Sequence, residues 1–257
     1  MDLAQMFSLK GQVALVTGGS RGLGLQMAEA LGEAGCRVAI SARKAEELEA
    51  AKARLQERGI DVHTFVGDLQ QSGWIAALVE GVARASGPVD ILVNNAGATW
   101  GAPAEEYPDE AWNKVMNLNL NATFFLAREV ARRCMIPRRS GRIINVASIA
   151  GLKATGPDMC TVAYNTSKAA VIHLTRALAS EWGRYGINVN AVCPGFFPTK
   201  MSAGLLEKIS ESVIARTPLR RLGGEEDMKG SVVFLASAAS RHITGQALAI
   251  DGGASIV

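Results

Sequence analysis

The stretch Thr17-Gly18-Gly19-Ser20-Arg21-Gly22-Leu23-Gly24 decides how the rest of the chain is interpreted. It follows an apolar, β-branched run at 13–17 and leads into a segment with helical character at 21–34. Glycines allow a tight turn and a close approach of the backbone to a pyrophosphate, while a helix N-terminus supplies free N–H groups and the positive end of its dipole. The stretch therefore predicts a dinucleotide-binding turn, with an ordinary strand–helix turn as the alternative.

Short β-branched runs alternate with longer segments rich in Ala, Leu, Glu and Arg along the whole chain. The predicted strands are 13–17, 37–41, 62–66, 89–94, 142–147, 188–192 and 247–250. The predicted helices are 21–34, 44–58, 71–86, 109–135, 163–184 and 225–238. Such alternation is typical of a parallel sheet covered on both faces. We predict an α/β protein with a single Rossmann-type doubly wound domain over 1–257, a seven-stranded parallel sheet flanked by helices, and a small lid near residues 199–217.

Composition excludes several classes of protein. Of the 257 residues, 48% are apolar and 20% are charged, so the chain can bury a large core. A net charge of +3 is too weak to indicate nucleic-acid binding. No stretch approaches the roughly 20 apolar residues of a membrane helix, and the first residues do not resemble a signal peptide. The four cysteines lack metal-ligand spacing, so we predict a cytoplasmic protein without a membrane, nucleic-acid or metal partner.

Further motifs follow in order at the ends of the predicted strands. They are Asn94-Asn95-Ala96-Gly97, Asn119, Ser148, Tyr164-Asn165-Thr166-Ser167-Lys168, Pro194-Gly195 with Thr199, and Asp251-Gly252-Gly253. Together with the TGxxxGxG form of the glycine turn, they resemble the motifs of the short-chain dehydrogenase/reductase family. The resemblance runs from about residue 10 to residue 253. Because several independent motifs agree in type and order, the chain is identified as a member of that family.

Tyr164 and Lys168 have the i, i+4 spacing that places two side chains on one face of a helix. A phenol with an unperturbed pKa near 10 is a poor base at neutral pH, and a neighbouring ammonium favours its phenolate form. The pair is therefore a candidate acid/base unit, and Ser148 is placed to hydrogen-bond a substrate oxygen. A surface Tyr/Lys pair and an ordinary strand-end serine are the alternatives.

The family resemblance implies a role for each of these residues. Tyr164 exchanges a proton with the carbonyl or alcohol, Lys168 lowers the pKa of the tyrosine and holds the nicotinamide ribose, and Ser148 orients the substrate oxygen. Asn119 holds a water that relays protons to Lys168. The implied cofactor-binding residues are Gly18, Ser20, Arg21, Gly22, Leu23, Gly24, Ser41, Arg43, Asp68, Leu69, Asn95, Ala96, Gly97, Tyr164, Lys168, Pro194, Gly195 and Thr199. The hydride comes from the nicotinamide, so no metal is expected.

The end of the second predicted strand decides between the two nicotinamide dinucleotides. A carboxylate there would accept a hydrogen bond from the ribose 2′-hydroxyl and repel a 2′-phosphate. The chain has Ala42 at that position, Arg43 follows it, and Arg21 lies in the glycine turn. Two guanidinium groups, with Ser41 as a further contact, predict NADP(H) in preference to NAD(H). The alternative is that Arg43 is the solvated start of the next helix.

The predicted substrate region is apolar and aromatic. Its residues are Thr99, Trp100, Ala150, Leu152, Met159, Phe196, Phe197 and Met201. This lining favours a 3-oxoacyl thioester, carried by coenzyme A or by an acidic carrier that docks on six arginines between Arg128 and Arg142. Those arginines also suit a solvated helix end.

Two further functions stay open at this point. The chain also resembles gluconate 5-dehydrogenase-like members of the family, as well as 3-oxoacyl-(acyl-carrier-protein) reductases, so a sugar acid is the second substrate class. Lys153 and Lys200 are the cations near the predicted site. Ser148 and Tyr164 are 16 residues apart against about 13 in many family members, which lengthens the loop 151–162 beside the substrate. A catalytically idle dinucleotide-binding module is the third candidate. Family members of this size are usually homotetramers, which predicts one here.

Overall fold

Seven parallel strands form the central sheet of the computed structural model, which describes residues 2–156 and 159–257. The strands are β1 (Val13–Thr17), β2 (Arg37–Ala42), β3 (Val62–Val66), β4 (Ile91–Asn94), β5 (Gly141–Val146), β6 (Ile187–Pro194) and β7 (Ala247–Ile250). Their order is β3-β2-β1-β4-β5-β6-β7, and each neighbouring pair is parallel. The predicted fold class is confirmed.

The strand order reverses beside β1. After β3 the chain returns to the opposite side of β1 and continues outward through β4, β5, β6 and β7. In open parallel sheets, ligands bind at such a switch point, outside the carboxyl ends of the strands. The ends of β1, β4, β5 and β6 therefore define where the functional groups must lie.

Helices cover both faces of the sheet. They are α1 (Leu3–Phe7), α2 (Gly22–Glu33), α3 (Ala45–Glu57), α4 (Trp74–Ser86), α5 (Asp109–Met116), α6 (Ala122–Val130), α7 (Val162–Trp182), α8 (Ala203–Arg216) and α9 (Lys229–Ala236). One apolar cluster joins the sheet to α2, α3 and α9, and another joins it to α4, α6 and α7. Every residue of β1 and β4 is buried, as expected for the inner strands of a sheet covered on both faces. Within the described ranges, no helix is long and apolar enough to cross a bilayer.

The segment predicted as one helix, 109–135, departs from a regular α-helix at two places. Wide π-helical turns at Asn117–Asn121 and Ala131–Met135 follow α5 and α6. Such turns occur often at functional sites, and the first of them carries Asn119. The prediction of one regular helix over 109–135 does not include these two turns.

The predicted lid near 199–217 contains α8, which lies between the end of β6 and the last helix. Leu206 is buried and anchors α8, while most of the other side chains of this helix are at least partly exposed. Short helix α1, capped by Asp2 and Gln5, was not predicted. The long loop 151–162 includes residues 157 and 158, which lie outside the described residues, so its predicted role beside the substrate stays a prediction.

Candidate active site

Backbone atoms, rather than side chains, form the inner surface of the turn between β1 and α2. Gly18 and Gly22 have φ values of +63° and +53°, in the left-handed region that favours glycine. A Cβ on Gly18 would lie 2.8 Å from Nδ2 of Asn95, and one on Gly24 would collide with the carbonyl of Gly18. Asn95 Nδ2 donates to the carbonyl oxygens of Thr17 and Gly18 at 2.8 and 3.2 Å, which fixes the turn against β4. This cradle at the start of α2 fits a pyrophosphate.

Charged residues lie where the cradle meets the end of β2. In this fold the adenosine ribose of a dinucleotide is held there, so we call this place the ribose edge. Gly18 and Gly19 donate backbone N–H groups to the carbonyl of Ser41, whose side chain is buried, so β2 ends directly beside the turn. Arg43 lies just beyond β2, with Nη1 3.8 Å from Oδ2 of Asp68. Arg21 Nη1 lies 2.6 Å from Oε1 of Glu47, a residue that sequence reasoning missed. The structure thus brings both predicted arginines to this edge, each facing a carboxylate.

Other predicted cofactor residues lie at the same edge of the sheet. Ser20 is buried in the turn, and Leu23 packs into the core under α2. Leu69 packs against the apolar cluster of the opposite face. Pro194 ends β6, and Gly195 donates its N–H to Ile250 at 3.0 Å, which extends the β6–β7 pairing. Leu23 and Leu69 therefore pack in the apolar core, and the predicted cofactor contacts of these residues stay predictions.

Tyr164 and Lys168 lie near the start of α7, beside Ser148 at the end of β5. The Ser148 hydroxyl is hydrogen-bonded to the Tyr164 phenol and also accepts from the N–H of Ala150 at 3.1 Å. Lys168 Nζ lies 5.6 Å from the centroid of the Tyr164 ring. The same ammonium donates to the carbonyl of Val146 at 2.6 Å. The structure therefore brings three of the four predicted catalytic side chains together, and Asn119 is the fourth.

Burial controls the protonation of this group. It raises the pKa of Tyr164 above the ordinary value of 10, an effect that the hydrogen bond with Ser148 only partly offsets. It lowers the pKa of Lys168 to about 8. Desolvation of the phenolate is the largest influence on the pKa of Tyr164 in this structure, and the predicted lowering of that pKa by Lys168 stays a prediction. Tyr164 is thus a neutral phenol at pH 7, which is the form that donates a proton.

Asn119 is held by hydrogen bonds in the first π-helical turn. Its Oδ1 accepts from the N–H of Ala98 at 2.8 Å, and its Nδ2 donates to the Ala98 carbonyl and to Ser167 Oγ at 2.9 Å each. A Cβ on Gly97 would lie 3.3 Å from Asn119 Oδ1 and 3.8 Å from Lys168 Nζ. Asn119 therefore ties the segment after β4 to α7 beside Lys168. Its predicted role as the holder of a water stays a prediction.

Thr199 lies over the glycine turn. Its Cγ2 would be 3.4 Å from a Cβ placed on Gly22, and its N–H donates to Ser202 Oγ at 2.9 Å. The segment after β6 therefore closes over the cradle from the side of β7. The predicted contact of Thr199 with the nicotinamide half of a dinucleotide stays a prediction.

The residues predicted to line the substrate site differ in their exposure to solvent. Trp100, Leu152 and Met201 expose 47%, 42% and 53% of their surface, so their side chains are open to solvent, and their contact with a substrate stays a prediction. Phe197 is buried in the core and does not line a pocket, since its ring packs against Gly223. This correction follows from the turn after β6, which directs Phe197 inward.

Both cations predicted near the substrate have partners. Lys153 Nζ donates to the backbone carbonyls of Ala254 and Val257, at 2.5 and 2.8 Å. Lys200 Nζ lies 3.8 Å from Glu47 Oε1, at the cofactor edge. Among the residues that the structure describes, no three His, Cys, Asp or Glu side chains cluster so as to hold a metal ion.

The arginines between 128 and 142 differ in their surroundings. Arg138 pairs with Asp90 at 2.7 Å, and Arg142 lies in β5, where burial lowers the pKa of its guanidinium. Arg128 packs over the rings of two phenylalanines on α6. Part of this run is therefore structural, and its exposed part surrounds α6.

Comparisons with known proteins extend over the whole chain. The family model described as short chain dehydrogenase matches residues 12–210. The gluconate 5-dehydrogenase of Gluconobacter oxydans is 39% identical over 258 residues, covering 100% of this chain and 99% of that protein. The rhamnolipids biosynthesis 3-oxoacyl-[acyl-carrier-protein] reductase of Pseudomonas aeruginosa is 40% identical, covering 96% and 97%.

A solved structure shares the fold at full length. The gluconate 5-dehydrogenase of Burkholderia cenocepacia, in complex with NADP and tartrate, superimposes with a TM-score of 0.93 at 34% identity, covering 100% of both chains. The same arrangement of sheet and helices therefore occurs in a protein that holds NADP.

Proposed function

Since the chain belongs to the short-chain dehydrogenase family and is an oxidoreductase, we propose that it uses NADP(H) to reduce the ketone of a 3-oxoacyl thioester to a secondary alcohol. The observation that carries the proposal is a neutral Tyr164, hydrogen-bonded to Ser148, beside a glycine cradle at the switch point of the sheet. Bound NADPH supplies the hydride, and the protein supplies the proton and the orientation of the substrate.

The catalytic side chains act on the carbonyl oxygen. The Ser148 hydroxyl donates a hydrogen bond to that oxygen and fixes its position. Tyr164 donates its phenolic proton as negative charge develops there, and the nearby ammonium of Lys168 stabilises the resulting phenolate. Lys168 holds a positive charge next to this pair and is placed to contact a ribose hydroxyl. Asn119 keeps α7 and the segment after β4 at a fixed distance, so these groups stay aligned.

Cofactor choice is part of the proposal. Arg21 and Arg43 lie at the ribose edge, where a 2′-phosphate would accept hydrogen bonds from both guanidinium groups. The carboxylates that face them, Glu47 and Asp68, lie on α3 and after β3 rather than at the end of β2. The relative from Burkholderia that holds NADP supports the same preference.

The substrate class rests on the apolar mouth of the site. Trp100, Leu152 and Met201 present exposed apolar surface, and burying it against an acyl chain is favourable. A sugar acid would need a cation for its carboxylate, but Lys153 is bound to the backbone carbonyls of Ala254 and Val257, and Lys200 extends toward Glu47 at the ribose edge. The similarity to gluconate 5-dehydrogenases makes a keto sugar acid the second candidate.

Location and assembly complete the proposal. We propose a cytoplasmic homotetramer, in agreement with what the family resemblance implies. An acidic acyl carrier would dock on the exposed surface around α6 at Arg128. Arg132 pairs with Glu129, and Arg138 and Arg142 are likewise engaged within the protein.

A substrate panel tests the proposed reaction directly. With NADPH, we expect kcat/KM for acetoacetyl-CoA to exceed that for 5-ketogluconate by about tenfold or more, as burial of even a few methylene groups predicts. Initial rates of NADPH oxidation measure both. A higher kcat/KM for 5-ketogluconate would establish the sugar-acid reaction instead, and NADPH binding without any reduction would indicate an idle module.

The pH dependence of reduction is expected to follow Lys168. With a pKa of about 8, Lys168 is charged below that pH and neutral above it, while Tyr164 stays protonated across this range. We therefore expect kcat/KM for NADPH to fall about tenfold per unit above pH 8, because that parameter reports the free enzyme. A Lys168→Arg variant keeps its charge and should show a lower but flat profile. A native profile that is flat from pH 7 to 9.5 would contradict this role.

A further inference from the structure

Three cations from different parts of the chain meet at one carboxylate oxygen. Oε1 of Glu47 lies 2.6 Å from Arg21 Nη1, 3.6 Å from Lys44 Nζ and 3.8 Å from Lys200 Nζ. Arg21 precedes α2, Lys44 precedes α3, and Lys200 follows β6. The three cationic side chains are at least half exposed, while the Glu47 side chain exposes 28%. The carboxylate therefore lies at the centre of a positive surface cluster.

This cluster, formed by Arg21, Lys44, Lys200 and Glu47, lies at the end of β2. The neighbouring Arg43 is outside it and faces Asp68. The end of β2 and the glycine turn are where the adenosine ribose of a dinucleotide is held in this fold. A carboxylate oxygen and a phosphate oxygen attract the same guanidinium and ammonium donors. Glu47 thus occupies the donors that a 2′-phosphate would use.

We propose that Glu47 is a displaceable internal counterion of the 2′-phosphate subsite and that it sets how strongly the protein discriminates NADP(H) from NAD(H). This inference rests on the proposed use of NADP(H). It identifies a specificity-determining residue outside the sequence motifs. When the 2′-phosphate enters, Arg21 and Lys200 exchange the Glu47 carboxylate for phosphate oxygens. NAD(H) has a neutral 2′-hydroxyl in place of this phosphate. It does not displace the Glu47 carboxylate, so the ion pairs remain.

The negative charge of Glu47 makes binding of the 2′-phosphate less favourable. Exposed ion pairs contribute little, so breaking them costs little. The repulsion between the Glu47 carboxylate and a phosphate that carries nearly two negative charges remains after the exchange. Partial desolvation raises the pKa of Glu47, but the charges of Arg21, Lys44 and Lys200 outweigh this and hold the pKa below its ordinary value. The carboxylate therefore stays charged at pH 7, and its removal favours the phosphate.

Lys200 gives the exchange a structural consequence. It follows Thr199, which lies over the glycine turn, and it reaches across the cradle to α3. The Lys200–Glu47 pair links the segment after β6 to the ribose edge. Transfer of Lys200 to the phosphate would link the same segment to the cofactor.

A Glu47→Gln variant tests the proposal, with Glu46→Gln as the matched control. Both residues are acids in the first turn of α3, but Glu46 makes no ion pair in the part of the chain that the structure describes. Dissociation constants for NADPH and NADH are measured by titration calorimetry at one ionic strength, after thermal melts have verified that both variants fold. We expect Glu47→Gln to lower the Kd for NADPH about fivefold and to change the Kd for NADH less than twofold. Glu46→Gln should change neither more than twofold.

Titrations with 2′,5′-ADP and 5′-ADP locate the effect, because these probes differ by the 2′-phosphate alone. The gain in Glu47→Gln should appear with 2′,5′-ADP only. If Glu47→Gln binds NADPH as tightly as Glu46→Gln or more weakly, while the native protein still prefers NADPH, the counterion role is overturned and the proposed function stands. If the native protein binds NADH more tightly than NADPH, the proposed use of NADP(H) is overturned, and the inference with it.

Discussion

A Tyr164→Phe variant is expected to lose carbonyl reduction by about 10³-fold in kcat while it binds NADPH with nearly native affinity. The substitution removes one hydroxyl and keeps the ring that packs beside Lys168. Without the phenol, no neutral acid hydrogen-bonded to Ser148 faces the carbonyl oxygen, and proton transfer must come from water. Single-turnover measurements of NADPH oxidation, with NADPH binding followed separately, distinguish loss of chemistry from loss of binding.

The matched control is Tyr185→Phe. Tyr185 lies just beyond the far end of α7, under the guanidinium of Arg184, and its hydroxyl has no place in the proposed reaction. It should keep native kcat. If Tyr164→Phe retained more than a tenth of the native kcat, the proton donor would have to be another group. If it also lost NADPH affinity by more than tenfold, the hydroxyl would be a binding group rather than an acid.

The sequence predicts the fold well because its signals are local. Three predicted strands, 13–17, 62–66 and 247–250, coincide with β1, β3 and β7, since β-branched runs bounded by turns mark buried strands. The motif residues predicted at strand ends lie together at one edge, because the carboxyl ends of parallel strands share that edge. The wide turn at Asn117–Asn121 escaped prediction, since it is a change of backbone hydrogen bonding inside a segment that stays helical throughout.

The parts of the site that escaped prediction depend on contacts between distant residues. Arg21 and Glu47 are 26 positions apart, and Lys200 is farther along the chain, so no spacing rule connects them. The carbonyl of Val146 that binds Lys168 belongs to the backbone and has no residue-type signal. The rise in the pKa of Tyr164 reflects burial, which depends on the packing of α7 against β5 and β6. The ion pairs and protonation of the site therefore depend on the folded structure, whereas the position of the site could be predicted from the sequence.

Replacement of Arg21 and Arg43 by alanine is expected to reverse the preference for NADP(H). Each single variant should raise the Kd for NADPH about tenfold and the double variant about 100-fold, while the Kd for NADH changes less than threefold. The two effects should add because Arg21 faces Glu47 and Arg43 faces Asp68, so they share no partner. Loss of both guanidinium groups leaves a 2′-phosphate beside two carboxylates, which a 2′-hydroxyl tolerates and a phosphate does not.

Arg84→Ala serves as the control for this last prediction, because Arg84 is an exposed arginine in the final turn of α4, remote from the ribose edge. It should leave both dissociation constants unchanged within twofold. Equal weakening of NADPH and NADH in the double variant would mean that the arginines bind the pyrophosphate, which both cofactors share. Unchanged affinity for NADPH would mean that the 2′-phosphate lies elsewhere. Selective weakening of NADPH alone requires that Arg21 and Arg43 contact the group by which the two cofactors differ.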